Sequence, residues 1–490
     1  MYTLGFDIGS SSIKAAIVDP LKGDVIAAAN YPEEEMPIAA PRPGWAEQDP
    51  EMWWQALVKA TRRLLAYTPV RKEAIRALGI SYQMHGLVLL DRDDNVLRPA
   101  IIWCDSRAVE AGEKLLKAAG DEYCFGHLLN VPGNFTAAKL AWVKENEPEL
   151  FARAVVMMLP GDYIAFRLTG EKKTTVTGLS EGTLWDFPED SPAFPLLEKM
   201  GISPDILPPL IPVFGDQGHL TADAAKALGL QAGIPVTYRA GDQPNNAFSL
   251  NVLRPGEVAA TAGTSGVIYG VTDRYTPDTA SRVNLFAHVN HTKDDPRVGI
   301  LLCINGTGIQ YAWLRKNVAS GSGYPEMNSE AASVPSGSEN LRVFPFGNGA
   351  ERVLQNRFPG ASVRNLDFNR HTRAHLLRAA LEGIAFSLAY GLEVMHETGM
   401  SVNVIRAGHA NMFLSPVFAQ TLATVAGVPI ELYNTDGATG AAMGAALGTG
   451  ITDDPGKLFG NLAVVRSLSP EKDTRLLEAF ENWKKVLINL

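Results

Sequence analysis

Short apolar runs separated by glycine and aspartate dominate the first hundred residues. "YTLGFDIG", "SIKAAIVD" and "DVIAAAN" are rich in β-branched and small apolar residues and predict three successive strands. The spacing then turns helical in "DPEMWWQALVKATRRLLAY", with Asp49 placed to cap the helix and Pro50 at its first position. "AIRALGISY" returns to a strand. From about residue 110 to 230 the pattern is helix-rich but irregular, broken by "LPGDY", "FPEDSPAFP" and "ILPPLIP", whose prolines mark loops or a subdomain boundary. Strands resume at "PVTYRAGD" and "GEVAATAGTSGVIYGVTD". A long helix, "RHTRAHLLRAALEGIAFSLAYGLEVMHETG", and the strand "VNVIRAGH" follow. The helix "SPVFAQTLATVAG" has Ser415 as cap, Pro416 in the first turn and Gly427 as stop, and the chain closes on the helix "PEKDTRLLEAFENWKKVLIN". Strands alternating with helices in this way predict an α/β protein.

One comparison within the chain changes the picture. Writing "FDIGSSSIKAAIVD", residues 6 to 19, above "ATAGTSGVIYGVTD", residues 260 to 273, aligns Gly9 with Gly263, Ser10 with Thr264, Ser11 with Ser265 and Asp19 with Asp273 at a constant offset. Each copy opens what reads as a new α/β domain. The favoured interpretation is two domains of like architecture, 1–245 and 246–490, each offering a strand-turn-strand tip to a shared cleft, with the last helix, about 470–490, able to pack back on the first domain.

Length and composition agree with two domains. At 490 residues the chain exceeds what one core usually supports, and 46% hydrophobic with 20% charged residues is an ordinary globular balance. No apolar run approaches the roughly 20 residues needed to cross a bilayer, and the N-terminus enters a strand at once without a leader pattern, so a cytoplasmic location is expected. A net charge of −9 argues against a nucleic-acid partner. Three widely spaced cysteines, with no CxxC pair, fit a reducing compartment without disulfides or a zinc site.

Glycine followed by small hydroxyl residues at a strand-turn-strand tip exposes backbone N–H groups and lets a phosphate oxygen approach closely. Two such tips could hold a polyphosphate, with Asp7 as a direct or water-mediated magnesium ligand. A plain hairpin with an Asx-type turn is the alternative for either tip alone. No GxxxxGK[ST] and no strand-to-helix GxGxxG is present. In "YRAGDQPNNAF", Asp242 ends an apolar strand and could take the proton of a substrate hydroxyl attacking a γ-phosphoryl group; it could equally cap the next helix, and the roles are compatible. "GISYQMHGLVLLD" interrupts a strand with Gln83, Met84 and His85, and "IIWCDSRA" adds Trp103 and Asp105. His85 could be a satisfied core histidine, but this set suits a polyol.

These stretches resemble the FGGY family of carbohydrate kinases over nearly the whole chain. "FDIGSSSIKAAIVD" and "TAGTSGVIYG" resemble its two phosphate motifs and "RAGDQPNNAF" its catalytic segment, while "WAEQDPEMWW", "QMHG" and "LRPAIIWCDSRA" are similar to its xylulokinase branch. The resemblance implies two ribonuclease H-like domains of the actin-like ATPase fold around a central cleft, binding ATP with magnesium and an open-chain ketose, with a homodimer left open. It implies Asp242 as the base; Gln83, Met84, His85, Trp103, Asp105 and Gln243 around the sugar; and Asp7 with Asp242 on the metal side. Gly9, Ser10, Ser11, Lys14, Gly263, Thr264, Ser265, Gly408 and Asn411 are implied on the nucleotide side, with Gly306 and Gly308 weaker candidates there. Other ketose or polyol kinases, for ribulose or gluconate, and a non-catalytic ATP and sugar sensor are the competing readings.

Overall fold

The structure, a computed structural model, describes residues 1–452 and 454–489. The chain forms two compact units. The first gathers Met1–Asn251, Phe286–Arg297 and Thr435–Leu462; the second gathers Val252–Leu285, Val298–Asn434 and Ala463–Leu490. A single cut between 245 and 246 therefore does not divide the chain, because two later segments return to the first unit.

Five strands build the sheet of the first unit: β1 (Tyr2–Ile8), β2 (Ile13–Asp19), β3 (Asp24–Tyr31), β4 (Ile75–Tyr82) and β5 (Val236–Gly241), in the order β3-β2-β1-β4-β5. The first three form an antiparallel meander, and β4 and β5 run parallel to β1. Asp49 caps the Pro50–Tyr67 helix as expected, accepting the Glu51 N–H at 2.9 Å. That helix lies over β2 and β3, and its Trp53 and Leu57 share one core with Leu4, Phe6 and Ile8.

Side chains alternate along a strand, so the neighbours of those residues face the other way. On that face the Gly437–Gly448 helix lies on β1, β4 and β5. Glycines make the approach possible: a Cβ at Gly5 would fall 2.0 Å from the Ala438 carbonyl oxygen, and one at Gly79 would fall 1.9 Å from that of Ala441. β1, β4 and β5 are buried on both faces, which is why they read as continuous apolar runs rather than as alternation.

The second unit repeats this plan. Its strands β6 (Glu257–Ala262), β7 (Gly266–Thr272), β8 (Val298–Ile304), β9 (Val404–Gly408), β10 (Ile430–Tyr433) and β11 (Val464–Leu468) lie in the order β8-β7-β6-β9-β10-β11. Again the first three are antiparallel, and β9 and β10 are parallel to β6. The aligned segments of the sequence are thus the matching hairpins β1–β2 and β6–β7. Ser415 accepts the Phe418 N–H and Gly427 closes that helix at φ 70°.

The closing helix, Thr474–Leu487, belongs to the second unit and corrects the expectation that it returns to the first. Its apolar face is filled there: Trp483 Nε1 donates to the Val343 carbonyl at 3.0 Å and the indole stacks on Phe344 with centroids 5.0 Å apart. No described helix is long and apolar enough to cross a membrane.

The helix-on-sheet contact of the first unit is testable. Gly79→Val adds atoms against backbone that cannot turn aside, so its unfolding midpoint in denaturant is expected to fall by the equivalent of about 1–3 kcal/mol or more. Unchanged unfolding, followed by circular dichroism, would contradict so close an approach.

Candidate active site

The parallel strands β1, β4 and β5 end side by side, and ligands of open α/β sheets bind outside such carboxyl ends. Asp7 is the penultimate residue of β1, in register with Lys14 of β2 and Ser81 of β4. Gln83, Met84 and His85 directly follow β4. Asp242 follows β5 as the first residue of the Asp242–Ser249 helix, whose cap is Gly241, so Asp242 does not itself cap that helix.

Asp7 accepts a hydrogen bond from Ser81 Oγ at 3.0 Å. The start of the Gly437–Gly448 helix presses on it: a Cβ at Gly437 would fall 2.5 Å from Asp7 Oδ2. Asp436 caps that helix by accepting the Thr439 N–H, and Asn245 Nδ2 donates to the Gly437 carbonyl at 2.9 Å. Asn245 Oδ1 is buried without a hydrogen-bond partner.

Burial holds the Asp242 carboxyl up at about 7; the nearby Asp7 adds to the rise, and hydrogen bonds from the backbone and side chain of Gln243 oppose it. Asp7 is also raised, first by burial, against the pull of Lys14 and Ser81. Two carboxyl groups that disfavour each other's charge suit a shared cation. Among the described residues no three His, Cys, Asp or Glu side chains cluster to hold a metal by themselves. Carboxyl oxygens such as those of Asp7 and Asp242 are donors of the kind that magnesium takes, one or two at a time, with phosphate and water oxygens completing its shell.

The β4 end supplies a polar wall. Gln83 is buried, and neither atom of its amide head has a hydrogen-bond partner. Met84 is packed on Gly241, where a Cβ would meet its Cγ at 2.6 Å. His85 is left-handed, with φ 63°. Its N–H donates to Glu181 Oε1 at 3.2 Å, its Nδ1 lies 2.9 Å from the Glu181 carbonyl oxygen, and its own carbonyl accepts from Lys139 Nζ at 2.6 Å. The ring packs on Phe135 and Phe286 with centroids 4.7 and 5.3 Å away. Burial pushes the Glu181 carboxyl well above the usual range and brings the Lys139 ammonium down to about 7.

Neither Glu181 nor Lys139 was expected at this site from the sequence. "LSEGT" and "AAKLA" place them inside helical segments where a charged residue reads as solvated surface.

Two expected sugar contacts are placed differently. Asp105 is fully buried and both of its oxygens are taken, by the Arg107 guanidinium and N–H and by the Ala46 N–H at 2.6 Å. Arg107 continues to Glu47 at 2.7 Å and lies over the Trp45 ring. Asp105 is therefore a structural ion-pair residue and leaves the sugar set. Trp103 is 54% exposed, and its indole N–H reaches Ser10 Oγ at 3.3 Å, so it stands at the β1–β2 tip. In that tip the Gly9 N–H closes on the Ser12 carbonyl at 3.1 Å, and Ser11 and Lys14 are exposed.

In the second unit, Gly263, Thr264, Gly308 and Asn411 line one cavity of about 450 Å³ together with Ile309, Tyr311, Ala312, Tyr324 and Asn328. The Gly308 and Ile309 N–H groups donate to the Gly263 and Thr264 carbonyls at 2.9 and 3.1 Å, fixing the tip against the Gly308–Asn317 helix. Tyr311 OH donates to Asn328 Oδ1 at 3.1 Å and its ring stacks with Tyr324. Ser265 and Gly408 do not line this cavity: Ser265 bonds to Cys303, and Gly408 turns its carbonyl to the Ala410 N–H. Gly306 is packed too closely on Pro345 to admit a side chain, and its N–H is held by Glu351.

Residues 2–249 match the N-terminal domain, and residues 258–451 the C-terminal domain, of the FGGY family of carbohydrate kinases. A xylulose kinase of Bacillus subtilis (strain 168) is 32% identical over 460 residues, covering 92% of this chain and 88% of that protein. An L-xylulose/3-keto-L-gulonate kinase of Escherichia coli (strain K12) is 31% identical over 471 residues, covering 92% and 89%. The crystal structure of xylulose kinase from Rhodospirillum rubrum is 26% identical, with a TM-score of 0.88 over 100% of this chain and 99% of that one. The fold is accordingly the two-domain α/β fold of the actin-like ATPases.

The elevated Asp242 carboxyl makes stability depend on pH with a definite sign. It titrates at 3.8 when unfolded and at about 7 when folded, so the contribution of its neutral form is complete below 3.8 and is lost as pH rises through 7. Asp242→Asn removes that loss. Without nucleotide or divalent cation, the variant is expected to exceed wild type in stability at pH 8 by at most about 4 kcal/mol, and to match it near pH 3.5. Parallel denaturation curves for the two proteins at both pH values would contradict the burial of this carboxyl.

Proposed function

Because the chain belongs to the FGGY family of carbohydrate kinases, and is with that family an ATP-dependent sugar kinase, we propose that it phosphorylates the terminal 5-hydroxyl of D-xylulose to give D-xylulose 5-phosphate and ADP. The observation that carries this reading is the Asp242 carboxyl, raised to about 7 directly after β5, whose last residue Gly241 pairs with Tyr82, the residue before the unpartnered Gln83 amide. A base of that pKa is matched to work at neutral pH. The names of the relatives that are about 30% identical support a xylulose as acceptor.

In this reading the Gln83 amide, with one donor side and one acceptor side, orients sugar hydroxyls, and Met84 and the His85 ring shape the wall behind them. Gln243 steers the Asp242 carboxylate through its two hydrogen bonds. The attacking hydroxyl gives its proton to Asp242 while its oxygen bonds to the γ-phosphorus and the bond to the ADP oxygen breaks. Asp7 and Asp242 are the residues that would hold magnesium, which supplies neutralisation of phosphate charge when bound. Gly9, Ser10, Ser11 and Lys14 are assigned to the phosphate side, and the cavity between Tyr324 and Asn411 to adenosine, with Thr264 at its phosphate end.

Asp242→Asn is expected to lose about 10²–10⁴ in kcat while still binding ATP in a calorimeter. Near-normal turnover would remove Asp242 from the role. A panel of D-xylulose, L-xylulose, D-ribulose and gluconate, scored by coupled ADP detection, is expected to give D-xylulose the highest kcat/KM. A preference for a sugar acid would replace the substrate but keep the base, and absence of any sugar-stimulated ADP formation would revive the sensor reading.

The nucleotide cavity has its own test. Ala312→Trp fills it with an indole and is expected to weaken ATP binding by about tenfold or more while leaving sugar binding intact. Unchanged ATP affinity would move adenosine elsewhere.

A further inference from the structure

We propose that Glu181 is a positioning residue for the sugar site, acting through His85. The inference rests on the reading that the turn after β4 faces the sugar. Three polar groups of His85 are held at once. Glu181 takes two of them, the backbone N–H with its carboxylate oxygen Oε1 at 3.2 Å and the ring Nδ1 with its main-chain carbonyl at 2.9 Å. The third, the His85 carbonyl, is bound by Lys139 Nζ, which also reaches the Ile102 carbonyl at 3.1 Å.

A non-glycine residue rarely occupies the left-handed region unless its surroundings impose it. His85 has φ 63°, and the clamp is what imposes it. An extended backbone here would swing the imidazole and the chain beyond it away from the Glu181 carbonyl that holds the ring.

Glu181 is itself locked. It is 1% exposed, ends the Val176–Glu181 helix, and sets its second oxygen against Gly241, where a Cβ would lie 2.5 Å from Oε2. The residue after Gly241 is Asp242. One carboxylate thus spaces the β4 turn from the β5 end, so the positions of sugar wall and base are set by the same side chain. Neighbouring Ser180 is tied down as well, accepting the Ala287 N–H on its hydroxyl at 2.7 Å. A backbone carbonyl can only accept, so the ring carries its proton on Nδ1 in the neutral form.

The test is a cycle of Glu181→Leu, Glu181→Gln and His85→Gly, read as separate KM values for sugar and ATP and as kcat. Glycine adopts the left-handed backbone without a clamp, so the His85→Gly background no longer needs Glu181. Glu181→Leu is expected to raise the sugar KM by about tenfold with the ATP KM within about twofold. Glu181→Gln, which keeps an acceptor oxygen at the same reach, should recover most of that loss. Adding Glu181→Leu to His85→Gly should cost nothing further.

If His85→Gly raises the sugar KM and Glu181→Leu does not, or if the two effects simply add, the positioning role is wrong and the site reading stands. If His85→Gly leaves the sugar KM unchanged, the site reading itself fails and takes the inference with it. A measurement on the unaltered protein covers the case in which Glu181→Leu does not fold: nitrogen-15 NMR of the histidine rings should show neutral His85 as the Nδ1–H tautomer, and an Nε2–H tautomer would overturn the clamp.

Discussion

The site in the first unit depends on how closely one helix can lie on a sheet. The Gly437–Gly448 helix approaches β1 and β4 at a distance only glycine tolerates, at Gly5 and Gly79. The same approach carries Gly437 onto the Asp7 carboxylate and presents the Gly437 carbonyl to Asn245. One small-residue contact therefore packs the sheet, crowds Asp7 and links the β1 end to the helix that begins with Asp242. A larger residue at either strand glycine would lift the helix and loosen all three. The stability of the sheet and the crowding of the carboxylates are not separable properties here.

Crowding gives the buried charges different chemical meanings. Asp105 is more deeply buried than Asp242, yet it is spent, because Arg107 and the Ala46 N–H satisfy both of its oxygens and Arg107 is itself stacked on Trp45. Asp162 also faces a buried cation, with Arg239 Nε 3.2 Å from Oδ1 and the Leu159 N–H donating to Oδ2. Asp242 has no such cation; what it meets is another carboxylate and two hydrogen bonds from Gln243. A buried ionisable group whose partners leave its charge uncompensated costs stability, and sites that do chemistry are where proteins tolerate that cost. The distinction is one of partners, not of depth.

That distinction also explains what could be read before the fold was known. The two hairpin tips, the Asp49 and Ser415 caps and the strand that delivers Asp242 follow from local pattern, since turns, caps and strand ends depend on a few adjacent residues. Local pattern fails at Asp105 for the same reason: "WCDSRA" shows a carboxylate beside an aromatic, but not that Arg107, two residues on, folds back to bind it. Glu181 and Lys139 were missed because an isolated charge in a helix looks solvated until its neighbours in space are known. The segment from 435 to 462 could not be assigned to the first unit from its place in the chain. Only its glycine and alanine content hints at a helix meant for tight packing, and its partners, from Gly5 to Asn245, are remote from it in the chain.

His85 ties these threads together at the scale of one residue. Its backbone is held in an unfavourable region by Glu181 and Lys139, two groups that are themselves costly to bury. Strain on that scale is of order 1–3 kcal/mol and persists only when the surroundings over-determine it. An apolar clamp would be cheaper for the fold but could not grip an N–H, a carbonyl and a ring nitrogen, because only polar groups direct polar groups. Fixing the orientation of the β4 turn therefore requires buried polar side chains. The raised carboxyl of Glu181 and the lowered ammonium of Lys139 are the consequence of that requirement rather than a sign that either group transfers a proton.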